Sequence, residues 1–113
     1  MRGTSGIAYD IGSAAANKKA KDIRILDVRD ISPITDYFVI CSGGSSIQVK
    51  AIAEEIEDKM GKQQLLPIHR EGYDSARWIL LDYGNVIAHI FHQEDREFYD
   101  LERLWADATA ISI

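Results

Sequence analysis

Apolar and polar residues alternate most regularly between Arg77 and Phe91, where Trp78-Ile79-Leu80-Leu81-Asp82 and Val86-Ile87-Ala88-His89-Ile90-Phe91 flank Tyr83-Gly84-Asn85. The pattern predicts two strands joined by a tight turn, with Gly84 and Asn85 at its centre, where positive φ is needed and both residue types tolerate it. That placement fixes the register. Tyr83 opposes Val86, so one face carries Ile79, Leu81, Tyr83, Val86, Ala88 and Ile90, and the other carries Trp78, Leu80, Asp82, Ile87, His89 and Phe91. The first face is core. The second mixes large apolar groups with an acid and an imidazole, the composition of a surface that meets a partner.

Elsewhere the pattern is coarser. Alanine-rich Ile7 to Lys21 predicts a helix ending in cations, and Ile23 to Val28 a strand with at least one buried side. Asp36 to Ser42 predicts a second strand, with Phe38 and Ile40 on one face and Tyr37, Val39 and Cys41 on the other. A helix follows, capped by Ser45 with Gln48 completing a capping box. Val49, Ile52, Ala53, Ile56 and Met60 form its apolar stripe, and Gly61 stops it. Leu65 to His69 reads as a short edge strand because it contains Pro67. Glu94 to Ala106 reads as an acid-started helix with Phe98, Leu101, Leu104 and Trp105 at helical spacing. Helix, two strands, helix, three strands, helix is an α/β order: a single domain with a mixed five-stranded sheet and flanking helices over 7–108. Residues 1–6 are expected to be a flexible N-terminus and 109–113 a C-terminal tail.

With 113 residues, the chain can bury a core without disulfides or a structural metal. Its lone Cys41, inside an apolar run, reads as a small buried hydrophobe in a reducing compartment. No secretory signal or membrane-length apolar run is visible, which points to a soluble protein of the cytoplasm or an organelle with no membrane partner. Eighteen acids against thirteen bases give a net charge of −5, which argues against generic or sequence-specific nucleic-acid binding and for a basic protein partner.

Each sign of chemistry has a plainer counterpart. Gly43-Gly44-Ser45-Ser46 before a helix offers amides to a phosphate, but it lacks the lysine and spacing of a P-loop and reads instead as a plain strand-to-helix turn. The same turn opens nucleotidyltransferases, which need paired carboxylates on a following strand. Here Glu54, Glu55, Glu57 and Asp58 fall on the polar face of a helix. His89 and His92 point to opposite faces of a strand and cannot share a metal. Nothing local makes Cys41 a nucleophile, and no cofactor or metal is implied. Trp78 and Leu80 read either as interior residues beneath a helix or as interface anchors. Asp82 on their face favours the second reading.

Several stretches together carry a resemblance: Lys18-Lys19-Ala20, Asp22-Ile23, Leu26-Asp27-Val28, Thr35-Asp36-Tyr37-Phe38-Val39-Ile40-Cys41-Ser42-Gly43, Trp78-Ile79-Leu80-Leu81-Asp82-Tyr83-Gly84, His89-Ile90-Phe91 and Arg96-Glu97-Phe98-Tyr99-Asp100-Leu101-Glu102-Arg103-Leu104-Trp105. In order and over 18–108, the chain resembles the ribosomal silencing factor family, also called Iojap. The resemblance implies a nucleotidyltransferase-like fold without the catalytic acids, and no enzymatic activity. It implies binding to the large ribosomal subunit at ribosomal protein L-fourteen, which obstructs the small subunit and represses translation; organellar relatives act in ribosome assembly. Carried onto this chain, it implies Trp78 and Leu80 as apolar anchors, with Leu81 and Tyr83 on the same strand and Asp82 as the acid facing a partner cation. Asp36, Tyr37 and His89 are implied as neighbours across the sheet. Ile47 stands where relatives often have a basic residue, and Asn85 where they often have aspartate. Two rival uses remain at this stage: a minimal nucleotidyltransferase and an assembly chaperone. A homodimer through the same apolar face is a further expectation.

Overall fold

The computed structural model describes the backbone of residues 4–99 and 109–111 and the side chains of 6–96. Helix α1 (Thr4–Asn17) leads into β1 (Lys21–Asp27) and β2 (Tyr37–Gly43), then α2 (Ser46–Lys62), β3 (His69–Glu71), β4 (Trp78–Asp82), β5 (Val86–His92), α3 (Gln93–Tyr99) and β6 (Thr109–Ile111). The strands form one sheet in the order β3-β4-β5-β2-β1-β6. Only β2 and β5 pair in parallel, as expected of strands joined by a crossover through a helix. The expected mixed sheet is present, and Thr109–Ile111, read from the sequence as tail, adds a sixth strand antiparallel to β1.

Period-two alternation divides the sheet into two faces. Ile25, Tyr37, Val39, Cys41, Ile79, Leu81, Val86, Ala88 and Ile90 point toward α1 and α2, whose Ala8, Ile11, Ala14, Ala15, Val49, Ile52, Ala53, Ile56 and Met60 complete one core. The other face holds a second, smaller cluster of Leu26, Val28, Phe38, Ile40, Ile87 and Phe91, with Trp78 and Leu80 packed at its margin. Both faces are therefore apolar in the middle of the sheet. Consequently β2 and β5 are buried along their whole length, while β4 alternates buried and half-buried.

Several boundaries differ from the sequence reading, two of them, the ends of α1 and α2, for one shared reason. Helix α1 stops at Asn17 rather than Lys21, because Ala20 N–H returns to Ala15 O and Lys19 N–H to Ala16 O, with Lys19 at φ 60°. Helix α2 runs through Gly61 to Lys62 and ends the same way: Leu65 N–H reaches Met60 O and Gln64 N–H reaches Gly61 O, with Gln64 at φ 62°. Both ends have the hydrogen bonds of a Schellman cap, but its left-handed position holds lysine or glutamine instead of glycine, so the usual stop signal is missing. Helix α1 begins at Thr4, inside the segment expected to be flexible. The edge strand lies at His69–Glu71 rather than Leu65–His69, with Pro67 ahead of it. Helix α3 begins at Gln93, and Leu101, Leu104 and Trp105 lie outside the described residues.

Candidate functional interface

The hairpin has the register expected of it. Trp78 pairs with Phe91, Ile79 with Ile90, Leu80 with His89, Leu81 with Ala88 and Asp82 with Ile87, and Tyr83 N–H bonds Val86 O at 2.9 Å. Of the two turn residues only Gly84 has positive φ, 86°, and the Asn85 N–H donates across it to Tyr83 O at 3.2 Å. Asp82 Oδ1 accepts the Gly84 N–H at 2.7 Å and ties the strand end to the turn.

Across the second face, antiparallel and parallel pairing line up His69, Asp82, Ile87, Phe38 and Leu26 in one row and Glu71, Leu80, His89, Ile40 and Arg24 in the next. The centre of this face is buried. It opens toward one edge along β4, where Trp78, Leu80 and Asp82 are half-buried, beside exposed His69 and Glu71 on β3, and at the other side Arg24 of β1 is exposed. This corrects the expectation of a uniformly mixed face: a closed apolar centre has an accessible margin, and β4 is that margin.

Trp78 is fixed there by its neighbours. Its indole stacks on Phe91 with ring centres 4.9 Å apart, and its Nε1–H donates to His89 Nδ1 at 3.0 Å. Phe38 meets His89 edge-on at 5.1 Å. His89 is only 5% exposed, and burial pushes its pKa down to about 4, so the imidazole is neutral at physiological pH. With Nδ1 accepting, its proton sits on Nε2, which has no hydrogen-bond partner among the described residues.

The site residues expected from sequence therefore separate. Trp78, Leu80 and Asp82 share the open margin, and His89 supports it from beneath. Leu81 does not belong: strand alternation turns it to the helix-packed core, where it is 0% exposed. Tyr37 is 4% exposed on that same core face, with the Arg29 guanidinium 5.4 Å from its ring centre. Tyr83 also faces the helices; burial first and then the Glu57 charge raise its pKa. Asp36 lies at the end of β2 beside the hairpin turn, its N–H donating to Asn85 O at 3.0 Å. Parity separates the two sets: of the five strand residues implied by the resemblance, Trp78, Leu80 and Asp82 face one way and Leu81 and Tyr83 the other.

Sequence reasoning missed His69, Glu71 and Gly72. His69 Nε2 lies 3.3 Å from Glu71 Oε1, placing a polar pair beside Leu80 and Asp82. A three-residue strand is too short to declare itself by alternation. Gly72 has φ 90°, and a Cβ there would come within 2.0 Å of Trp78 O. A glycine before a strand was the available signal.

The competing chemistries find little support. Gly44 N–H, the amide a phosphate would need, donates to Gln48 Oε1 at 2.6 Å. Gln48 N–H donates to Ser45 Oγ, so the turn is a helix cap. The Gln48 amide also donates to Lys18 O and Lys19 O, joining the end of α1 to the start of α2. His92 Nδ1 accepts the Glu94 N–H and caps α3. Burial pushes the Cys41 thiol up to about 12, away from a reactive thiolate. No group of three or more His, Cys, Asp or Glu side chains suited to a metal occurs among the described residues. Nor is any helix among them long and apolar enough to cross a membrane.

Residues 4–113 match the family described as "Ribosomal silencing factor during starvation". The chain is 47% identical over 96 residues to Ribosomal silencing factor RsfS of Bacillus subtilis (strain 168), covering 85% of this chain and 81% of the relative. It is 34% identical over 107 residues to the Mus musculus protein named Mitochondrial assembly of ribosomal large subunit protein 1, covering 88% of this chain and 46% of that one. A crystal structure of a Chromobacterium violaceum protein superposes with a TM-score of 0.90 at 30% identity, covering 93% of this chain and 88% of the other.

Proposed function

This chain belongs to the ribosomal silencing factor family, and on that premise we propose that it docks on the large ribosomal subunit at ribosomal protein L-fourteen and keeps the small subunit from joining. The observation that carries the reading is the open margin of β4: Trp78 and Leu80 provide a compact apolar contact, Asp82 adds an acid, and the indole is already oriented by His89 and Phe91. A pre-oriented tryptophan loses little side-chain freedom on binding, which favours it as an anchor. The net charge of −5 suits a basic ribosomal protein and speeds encounter with it. The mechanism is occupancy. No bond is made or broken, and the described residues offer neither a free phosphate cradle nor a metal cluster for catalysis. In a bacterium this action belongs to the cytoplasm.

Cosedimentation with separated subunits tests the proposal. The protein is expected to travel with large subunits and not small ones, to bind isolated L-fourteen, and to reduce subunit joining on a gradient. Binding to small subunits alone, or joining unaffected at saturation, would overturn it. The mouse relative's name supports a second reading, a role in large-subunit assembly. Binding to isolated L-fourteen but not to mature subunits would favour that role.

A further inference from the structure

The turn Gly84–Asn85, the 28–36 loop between β1 and β2, and the approach to β3 all lie at one end of the sheet: Val28 N–H bonds Asp36 O, Asp36 N–H bonds Asn85 O, and Ile68 N–H bonds Asp82 O at 2.7 Å. Three large aliphatic side chains there are far more exposed than expected of their type: Leu66 at 78%, Ile68 at 74% and Ile34 at 76%. Ile68 Cδ1 lies over the turn, 3.2 Å from where a Cβ on Gly84 would be. From β3 to β2 is three strand spacings, so this apolar rim spans roughly 15 Å. Its charges are one-sided. Arg29 is held by Asp27 at 2.7 Å and also lies in the field of Asp30, which leaves Asp30 and Asp36 as acids in excess of the one arginine.

We propose that this rim is a second half of the docking surface, continuous with the β4 margin through Ile68 and Asp82, and that it receives an apolar segment flanked by lysine or arginine on the same large-subunit partner. The inference rests on the proposed function and extends the contact from the sheet face over the hairpin end. Charge selects this occupant over a second copy of the chain, because a two-fold interface on the rim would bring its excess acids toward their own symmetry mates. The partner's cations meet Asp30 and Asp36, and its apolar residues cover Ile34, Leu66 and Ile68.

Because these side chains are exposed, Ile34→Asp and Ile68→Asp variants should stay folded, which thermal unfolding checks directly. Affinity for purified large subunits is then compared across wild type, each rim variant and Leu80→Asp. Each rim variant is expected to bind at least tenfold more weakly, and Asp36→Lys likewise. If wild type binds and Leu80→Asp does not, while folded rim variants bind like wild type, the rim assignment is overturned and the β4 reading stands. If wild type itself does not bind, the ribosomal reading falls and takes this inference with it. A wild-type dimer that Ile68→Asp converts to monomer at unchanged subunit affinity would assign the rim to self-association, also overturning the proposal.

Discussion

The pairing of Trp78 with His89 converts a half-buried tryptophan into a fixed one. Its polar cost is visible in the imidazole, which is neutral, bonded at Nδ1 and, among the described residues, unpartnered at Nε2. Because burial holds the folded pKa near 4 against 6.5 in the exposed group, the unfolded chain binds a proton that the folded chain refuses. Stability from this group is whole above pH 6.5, falls as pH drops toward 4, and is flat below. The predicted loss is on the order of 3 kcal/mol. Denaturant midpoints across that window should show the decline, and His89→Gln should flatten it. An imidazole NMR signal already protonated at pH 6 would contradict the assignment. Gly72 acts on the same tryptophan through the backbone: a methyl there meets Trp78 O while φ is 90°. Gly72→Ala is therefore expected to cost about 3 kcal/mol or more, measured by chemical denaturation, and to alter the Trp78 environment seen by fluorescence.

Among the elements, the hairpin was legible residue by residue because a glycine-first turn and strict alternation agree. Register and both face assignments follow from those two signals alone. The ends of α1 and α2 were not legible, because their left-handed cap positions hold Lys19 and Gln64 rather than glycine. Those positions carry strain. Gln64 is exposed, so Gln64→Gly should stabilise the protein by about 1 kcal/mol, and Lys19→Gly by a similar amount. A rise in Tm of roughly 4 °C for each would bear this out, and no change would mean that the surrounding loops already relieve the strain. Strand β3 was expected at the sheet edge over Leu65–His69; Leu66 and Ile68 prove exposed, and the hydrogen-bonded segment follows them at His69–Glu71.

For the molecule as a whole, the α/β class, the mixed sheet and the helix-packed core could be read from periodicity, while the sixth strand could not, since three residues far from their partner carry no local signal. The candidate site was half legible. Alternation placed Trp78, Leu80 and Asp82 together, but a resemblance carried along a contiguous motif included Leu81 and Tyr83, which the pleat turns inward. On the proposed steric reading, an acidic domain with a pre-oriented apolar margin acts by where it sits. Raising ionic strength should weaken binding chiefly through slower association, because the acids steer the encounter and the apolar margin does not.

The most direct test is the equilibrium affinity of Leu80→Asp and Trp78→Ala for purified large ribosomal subunits, each verified as folded by circular dichroism. The account predicts that each loses at least about 2 kcal/mol, roughly a 30-fold rise in Kd. A folded variant that binds as tightly as the unaltered protein would contradict it.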